Sequence, residues 1–160
     1  MKIHSEAVGF TKLLKLIKPG RMPALALFAL LPHCALAEPS CGDFLEAAGR
    51  KPPALEFVGC QPGHDAQVRA LIATYRVRGA LAAGVEDALV RDTQMARLRF
   101  ACCGWEPDMA DRSRLGSLPG PDQLPYQVTM ASEETLVNQR SAWYAIPWFH
   151  VTLTLPLEEP

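Results

Sequence analysis

The apolar positions follow two periods, and the points where one gives way to the other mark out the elements. Leu55 and Phe57 alternate with Glu56, Val58 and Cys60, which predicts a strand over residues 55–60. Beyond a turn at residues 61–65, Leu71, Ala73, Tyr75 and Val77 alternate with Ile72, Thr74 and Arg76. This predicts a second strand, over 68–77, forming an antiparallel hairpin with the first. After Gly79 the period lengthens: Leu81, Val85, Ala88 and Leu89 share one face of a helix over 80–94, while Glu86, Asp87 and Arg91 look outward. Alternation returns over 98–103, with Leu98, Phe100 and Cys102 set against Arg99, Ala101 and Cys103. Residues 106–125 have no period and are expected to be a long loop, of the kind that is disordered or functional.

Two further strands complete the pattern. Tyr126, Val128 and Met130 point inward on one; Phe149, Val151, Leu153 and Leu155 do so on the last, over 148–155. Trp148, His150, Thr152 and Thr154 take its outward face. Between these strands, Ser132 followed by Glu133 and Glu134 predicts the capped start of a short helix ending near Arg140. At the other end of the domain, Ser40 is placed to cap a short helix over 41–49 whose Phe44, Leu45 and Ala48 share a face. Alternating rather than wholly apolar strands need a cover on one side only. The fold class expected is therefore α+β: a two-layer, mostly antiparallel sheet of about five strands with two main helices on one face.

The first 37 residues have the three parts of an export signal. Lys12, Lys15, Lys18 and Arg21 are basic, residues 22–31 are uncharged and apolar, and Ala35-Leu36-Ala37 is a small-x-small cleavage site. The apolar stretch over 24–36 is broken by Pro32 and His33 and falls short of the roughly 20 residues of a spanning helix. A cleaved signal over 1–37 followed by a single domain over 38–160 is expected, in the periplasm or secreted. Removing the leader leaves 11 basic and 16 acidic groups, a formal charge of −5. That balance speaks against nucleic acid or an anionic membrane as partner and permits a basic protein.

Four cysteines remain after signal removal, Cys41, Cys60, Cys102 and Cys103, and they allow three pairings. Adjacent cysteines rarely bond to one another, since neighbouring residues lie closer than the usual disulfide separation. Strand parity puts Cys102 on the helix side with Cys41, and Cys60 with Cys103 on the other side. The expected bonds are Cys41 to Cys102 and Cys60 to Cys103, each contributing about 2 to 4 kcal/mol. A redox-active Cys102/Cys103 pair is the sharper alternative, but its basic neighbours are few. Zinc is disfavoured by the lack of a Cys-x-x-Cys spacing, and no cofactor is expected.

Only His64 and His150 remain as histidines after signal removal, and no Gly-x-Ser-x-Gly elbow is present. His150, on the wet face, has Glu56 or Arg76 within reach across the sheet, which would make it an acid/base group; a solvated strand histidine is the plainer reading. Trp105 and Trp148 are candidates for an exposed interaction spot together with His150, against the plainer reading that they belong to the core. The adjacent carboxylates Glu86-Asp87, Glu133-Glu134 and Glu158-Glu159 do not converge as a catalytic pair would.

Cys102-Cys103-Gly104-Trp105-Glu106, then Ser132-Glu133-Glu134-Thr135, then Trp143-x-x-Ile146-Pro147-x-Phe149-x-Val151 together resemble a family of small exported bacterial proteins catalogued as a domain of unknown function. The resemblance implies an exported α+β domain and supplies no activity or catalytic residue. From the residues themselves, the expected function is an exported, disulfide-braced, non-catalytic protein that binds an envelope protein, of inhibitor or immunity type. The alternatives are a small envelope hydrolase using His150 with a carboxylate, and a thiol-redox protein using Cys102 and Cys103.

Overall fold

The computed structural model describes residues 39–107, 115–121 and 124–158, all within one compact unit, Ala37–Pro160. The expected leader lies outside the described residues. Among the described residues there are seven strands: β1 (Glu56–Asp65), β2 (Val68–Arg78), β3 (Leu98–Ala101), β4 (Gly104–Pro107), β5 (Gly116–Leu118), β6 (Tyr126–Ser132) and β7 (Trp148–Pro156). Five of them form an antiparallel sheet in the order β1-β2-β7-β6-β5, and β3 and β4 pair as a separate hairpin. The described residues also form helices α1 (Phe44–Ala47) and α2 (Gly79–Thr93) and a 3₁₀ helix (Arg140–Ala145). The architecture is the α+β arrangement expected.

Alternation along the central strands produces the core. Leu71, Ala73, Tyr75 and Val77 on β2 and Phe149, Val151, Leu153 and Leu155 on β7 are buried, while the residues between them are not. Each such large aliphatic or aromatic side chain contributes about 1.5 to 3 kcal/mol through its removal from water. Against this face lie α2, the 3₁₀ helix through the Trp143–Phe149 ring contact at 4.8 Å, and α1, whose Leu45 N–H donates to the Tyr75 hydroxyl at 3.1 Å. Burial pushes the Tyr75 phenol above its ordinary pKa. Asp43, not Ser40, caps α1, its Oδ1 accepting from Glu46 N–H at 3.1 Å.

Local chemistry overrides the sequence pattern at several places. The turn expected at residues 61–65 is strand, and the reversal comes later, with Asp65 paired to Val68 and Ala66 at φ 55°. Pro62 is tolerated there because β1 is an edge strand, where a missing N–H costs no ladder bond. The helix expected after Ser132 is absent, the chain over 133–139 being irregular with bends, and the Ser132 hydroxyl accepts from Trp105 N–H at 2.9 Å instead of capping a turn. Helicity begins only at Arg140, and as 3₁₀. The expected loop over 106–125 contains the end of β4 and all of β5 among its described residues.

Helix α2 spans the predicted residues but is rotated from the expected face. Ala82, Val85, Glu86, Leu89 and Thr93 are buried, and Leu81 is 54 % exposed. Glu86, expected outward, is 1 % exposed. Its Oε1 accepts from Leu98 N–H at 2.6 Å and Arg140 Nη2 at 2.9 Å, and its Oε2 from Arg140 Nη1 at 2.6 Å. A carboxylate can be buried when its lone pairs are filled in this way. Gly79 opens the helix where there is no room for a side chain: a Cβ there would sit 2.0 Å from the Trp143 carbonyl oxygen and 2.3 Å from that of Ile146.

Candidate functional site

The cysteines fall into one bonded pair and one neighbouring pair. Cys41 and Cys60 are joined, with an S–S distance of 2.08 Å and Cα atoms 5.4 Å apart. Cys102 and Cys103 are free thiols. The expected bonds of Cys41 to Cys102 and Cys60 to Cys103 are therefore corrected, and two local features account for it. On β1, Phe57 pairs with Tyr75 but Gly59 pairs with Thr74, so Val58 is an extra, bulged residue. The bulge turns Cys60 to lie opposite Ala73 on the core side, where α1 and Cys41 are. Cys102 and Cys103, meanwhile, have no strand parity at all, because they form the turn that joins β3 to β4.

That turn is tight. Cys103 N–H donates to the Ala101 carbonyl at 2.7 Å around Cys102, whose φ is 53°. The Cys103 carbonyl accepts from Thr135 N–H at 2.7 Å, which ties the turn to the chain after β6. The two sulfurs lie 2.9 Å apart, Cys102 exposed and Cys103 half-buried, at the edge of a cavity of ≈360 Å³ lined also by Trp105, Glu106, Ser132 and Glu134. The hydrogen bond to Cys102, then the charge on Cys102, burial and the carboxylates of Glu134 and Glu106 hold the Cys103 thiol above its ordinary pKa. These influences favour the protonated thiol at Cys103.

A second constellation lies on the uncovered side of the sheet. Arg78 on β2 stands opposite Trp148 on β7, and Arg76 opposite His150. The guanidinium carbons of Arg76 and Arg78 lie 4.4 Å and 4.5 Å from the centre of the Trp148 ring, within cation–π range. Arg76 is also paired with Glu56, Nε to Oε2 at 2.9 Å. Beside this cluster His150 Nε2 lies 3.5 Å from Glu133 Oε1, and Glu133 N–H donates to the Trp148 carbonyl at 3.3 Å. His150 thus meets Glu133, not Glu56. Among the described residues no hydroxyl or thiol is hydrogen-bonded to His150.

Of the two tryptophans singled out by sequence, Trp148 is on the surface cluster and Trp105 is not. Trp105 is 5 % exposed, its Nε1 donates to the Val137 carbonyl at 2.7 Å, and its ring meets Trp143 edge-on at 5.0 Å. It belongs to the core, beneath Arg140, whose guanidinium lies 5.3 Å from its ring centre. Arg76 is where sequence placed it, across the sheet from His150; Arg78 and Glu133 were missed as site residues, Arg78 because it falls one residue past the strand predicted over 68–77.

A groove of ≈540 Å³ between residues 49–54 and α2 is lined by Lys51, Pro52, Leu81 and Arg91 among others. Two of its cations are engaged, Lys51 Nζ with Asp43 Oδ2 at 2.7 Å and Arg91 Nε with Asp92 Oδ1 at 2.9 Å. Among the described residues no three His, Cys, Asp or Glu side chains converge on a metal position, and no helix is long and apolar enough to cross a membrane.

Residues 33–105 match the model of a family described as a domain of unknown function, DUF4952. The match takes in both cysteine pairs and stops at Trp105; the Ser132-Glu133-Glu134-Thr135 and Trp143-to-Val151 motifs lie beyond it. Neither a curated protein nor a solved structure matches the chain.

Proposed function

We propose that this chain is an exported, non-catalytic binding protein that engages another envelope protein through the open face of its sheet, with Trp148 at the centre of the contact. The observation that carries the reading is the placing of half-buried Trp148 between the exposed Arg76 and Arg78. Trp and Arg are the residue types that most often dominate the energy of protein contacts. Here the three side chains hold one another in place, which lowers the entropy lost when a partner orders them. Arg78 adds a cation that a partner's carboxylate would pair with, while Arg76 is already matched by Glu56.

Export is supported by the composition of residues 1–37 and by the Cys41–Cys60 disulfide, a bond that persists in oxidising compartments. Within this reading, an inhibitor or immunity-type protein is the form that suits the size of the domain and its compartment. The test is affinity capture from native envelope extract with the tagged wild type, Trp148→Ser and Leu136→Ser, the last altering an 89 % exposed residue that is not part of the cluster. One partner held by wild type and Leu136→Ser but lost by Trp148→Ser is expected. Equal capture by all three, or by none, overturns the proposal.

The His150–Glu133 pair favours a second reading, a small hydrolase in which the carboxylate orients the imidazole. A substrate turned over by wild type and not by a folded His150→Gln would establish it in place of the first.

A further inference from the structure

We propose that Cys102 and Cys103 close reversibly into a disulfide with each other, making the turn between β3 and β4 a dithiol/disulfide site for small or protein disulfide oxidants. The inference stands on the geometry of this turn and does not depend on a partner at the open sheet face.

Three observations lead there. First, Cys41 and Cys60 are bonded to each other, so of the three pairings open to the four cysteines only the vicinal one remains for the other two. Second, the sulfurs already lie 2.9 Å apart, and a bond of about 2.05 Å requires them to approach by only about 0.9 Å. Third, the backbone is bent for it: Cys102 takes a φ of 53°, which a side-chain-bearing residue adopts at a cost, inside a turn fixed by the Cys103 N–H to Ala101 carbonyl bond. The adjacency that disfavours such bonds in general is offset here by a turn built around the two residues.

The chemistry balances as thiol–disulfide exchange. Cys102, the more exposed sulfur, loses its proton and attacks one sulfur of the oxidant's S–S bond, expelling a thiolate that takes up that proton. Cys103 then loses its proton and attacks Cys102 Sγ, forming the vicinal bond and releasing the second thiol. Two S–H bonds are lost, one S–S bond forms, and the two electrons reduce the oxidant's disulfide to two thiols. In the mixed disulfide Cys102 carries no charge and donates no hydrogen bond, which removes the leading influences that keep Cys103 protonated. The resolving step is thereby eased.

Consecutive Cα atoms sit about 3.8 Å apart, shorter than the usual disulfide span of about 4.4 to 6.8 Å, so the vicinal bond is strained. Strained bonds are the more readily reduced, so this one opens under milder conditions than Cys41–Cys60. The chemical change falls at the lip of the ≈360 Å³ cavity, where two thiols are exchanged for one sulfur bridge.

The test uses the full folded chain exposed to glutathione disulfide, alkylated without reduction and digested with trypsin. Residues 100–112 form a single tryptic peptide holding Cys102 and Cys103 and no other cysteine. The expected product is that peptide unalkylated and lighter by two hydrogens, returned to the doubly alkylatable form by a dithiol concentration at least ten-fold below that needed to open Cys41–Cys60. Cys102→Ser is expected to retain the Cys41–Cys60 bond and to give no such loss. Two alkylated thiols after oxidant, stable glutathione adducts on both sulfurs, or a link to any other cysteine overturns the proposal.

Discussion

Arg140 grips Glu86 with both prongs of its guanidinium, Nη1 to Oε2 at 2.6 Å and Nη2 to Oε1 at 2.9 Å, across 54 residues of sequence. The same guanidinium donates to the Leu98 carbonyl and lies 4.7 Å from the centre of the Trp143 ring. One ion pair thus joins α2, the start of β3 and the 3₁₀ helix. Glu86→Gln leaves Arg140 facing a neutral group and is expected to lower stability by about 2 to 4 kcal/mol, the lower part of the range reflecting the partial exposure of Arg140. Urea denaturation measures it, and Glu86→Gln with Arg140→Gln should cost clearly less than the two single changes added together.

Gly79 is a packing requirement of the same junction. Since a Cβ there would meet two carbonyl oxygens, Gly79→Ala must push α2 away from the 3₁₀ helix. The expected loss is about 1 to 3 kcal/mol, against the small gain that alanine brings in an open helix position. Gly84→Ala, with no atom within 4 Å of the new Cβ, is the control and should be neutral or stabilising.

The Cys41–Cys60 bond closes a separation of 19 residues and fixes the segment that carries α1. Replacing both by Ser should lower stability by about 3 kcal/mol through the larger freedom of the unfolded chain. The sheet spectrum in far-ultraviolet circular dichroism should be unchanged, because β2, β7 and β6 do not depend on it.

Asp43 supplies a pH dependence whose sign follows from its surroundings. Burial alone would raise its carboxyl, but the Lys51 hydrogen bond at 2.7 Å, the Glu46 N–H and the Tyr75 hydroxyl together hold it below the ordinary value of 3.8. A depressed carboxyl contributes stability that is complete above the unfolded value and is lost as pH falls through the folded one. Wild type should therefore lose more stability than Asp43→Asn between about pH 5 and about pH 3 in urea titrations. Equal losses would assign the acid sensitivity to other carboxylates.

The legible part of the fold was the part written in local period. The strands at β2 and β7 and the extent of α2 follow from alternation and from the change to a helical repeat at Gly79, because each reflects burial of a face against the same core. What escaped depends on contacts distant in sequence. The bulge at Val58 reverses the parity of Cys60, and nothing in Phe57-Val58-Gly59 marks it except the glycine. Glu86 looked like a solvated helix charge because its partners, Arg140 and Leu98 N–H, come from elsewhere in the chain. Cys102 and Cys103 read as strand because a two-residue turn carries no Gly, Asn or Asp to announce it. The surface cluster was half visible: Trp148, His150 and Arg76 had the right parity, but only the register of β2 with β7 puts Arg78 beside the tryptophan.

The binding face is tested most directly in living cells, with a photoreactive phenylalanine analogue placed at position 148 and, in a second strain, at position 136. Illumination should join the chain to one envelope protein from position 148, with at least a ten-fold weaker product from position 136. No product from position 148, or the same products from both positions, would contradict the proposed role of the open sheet face.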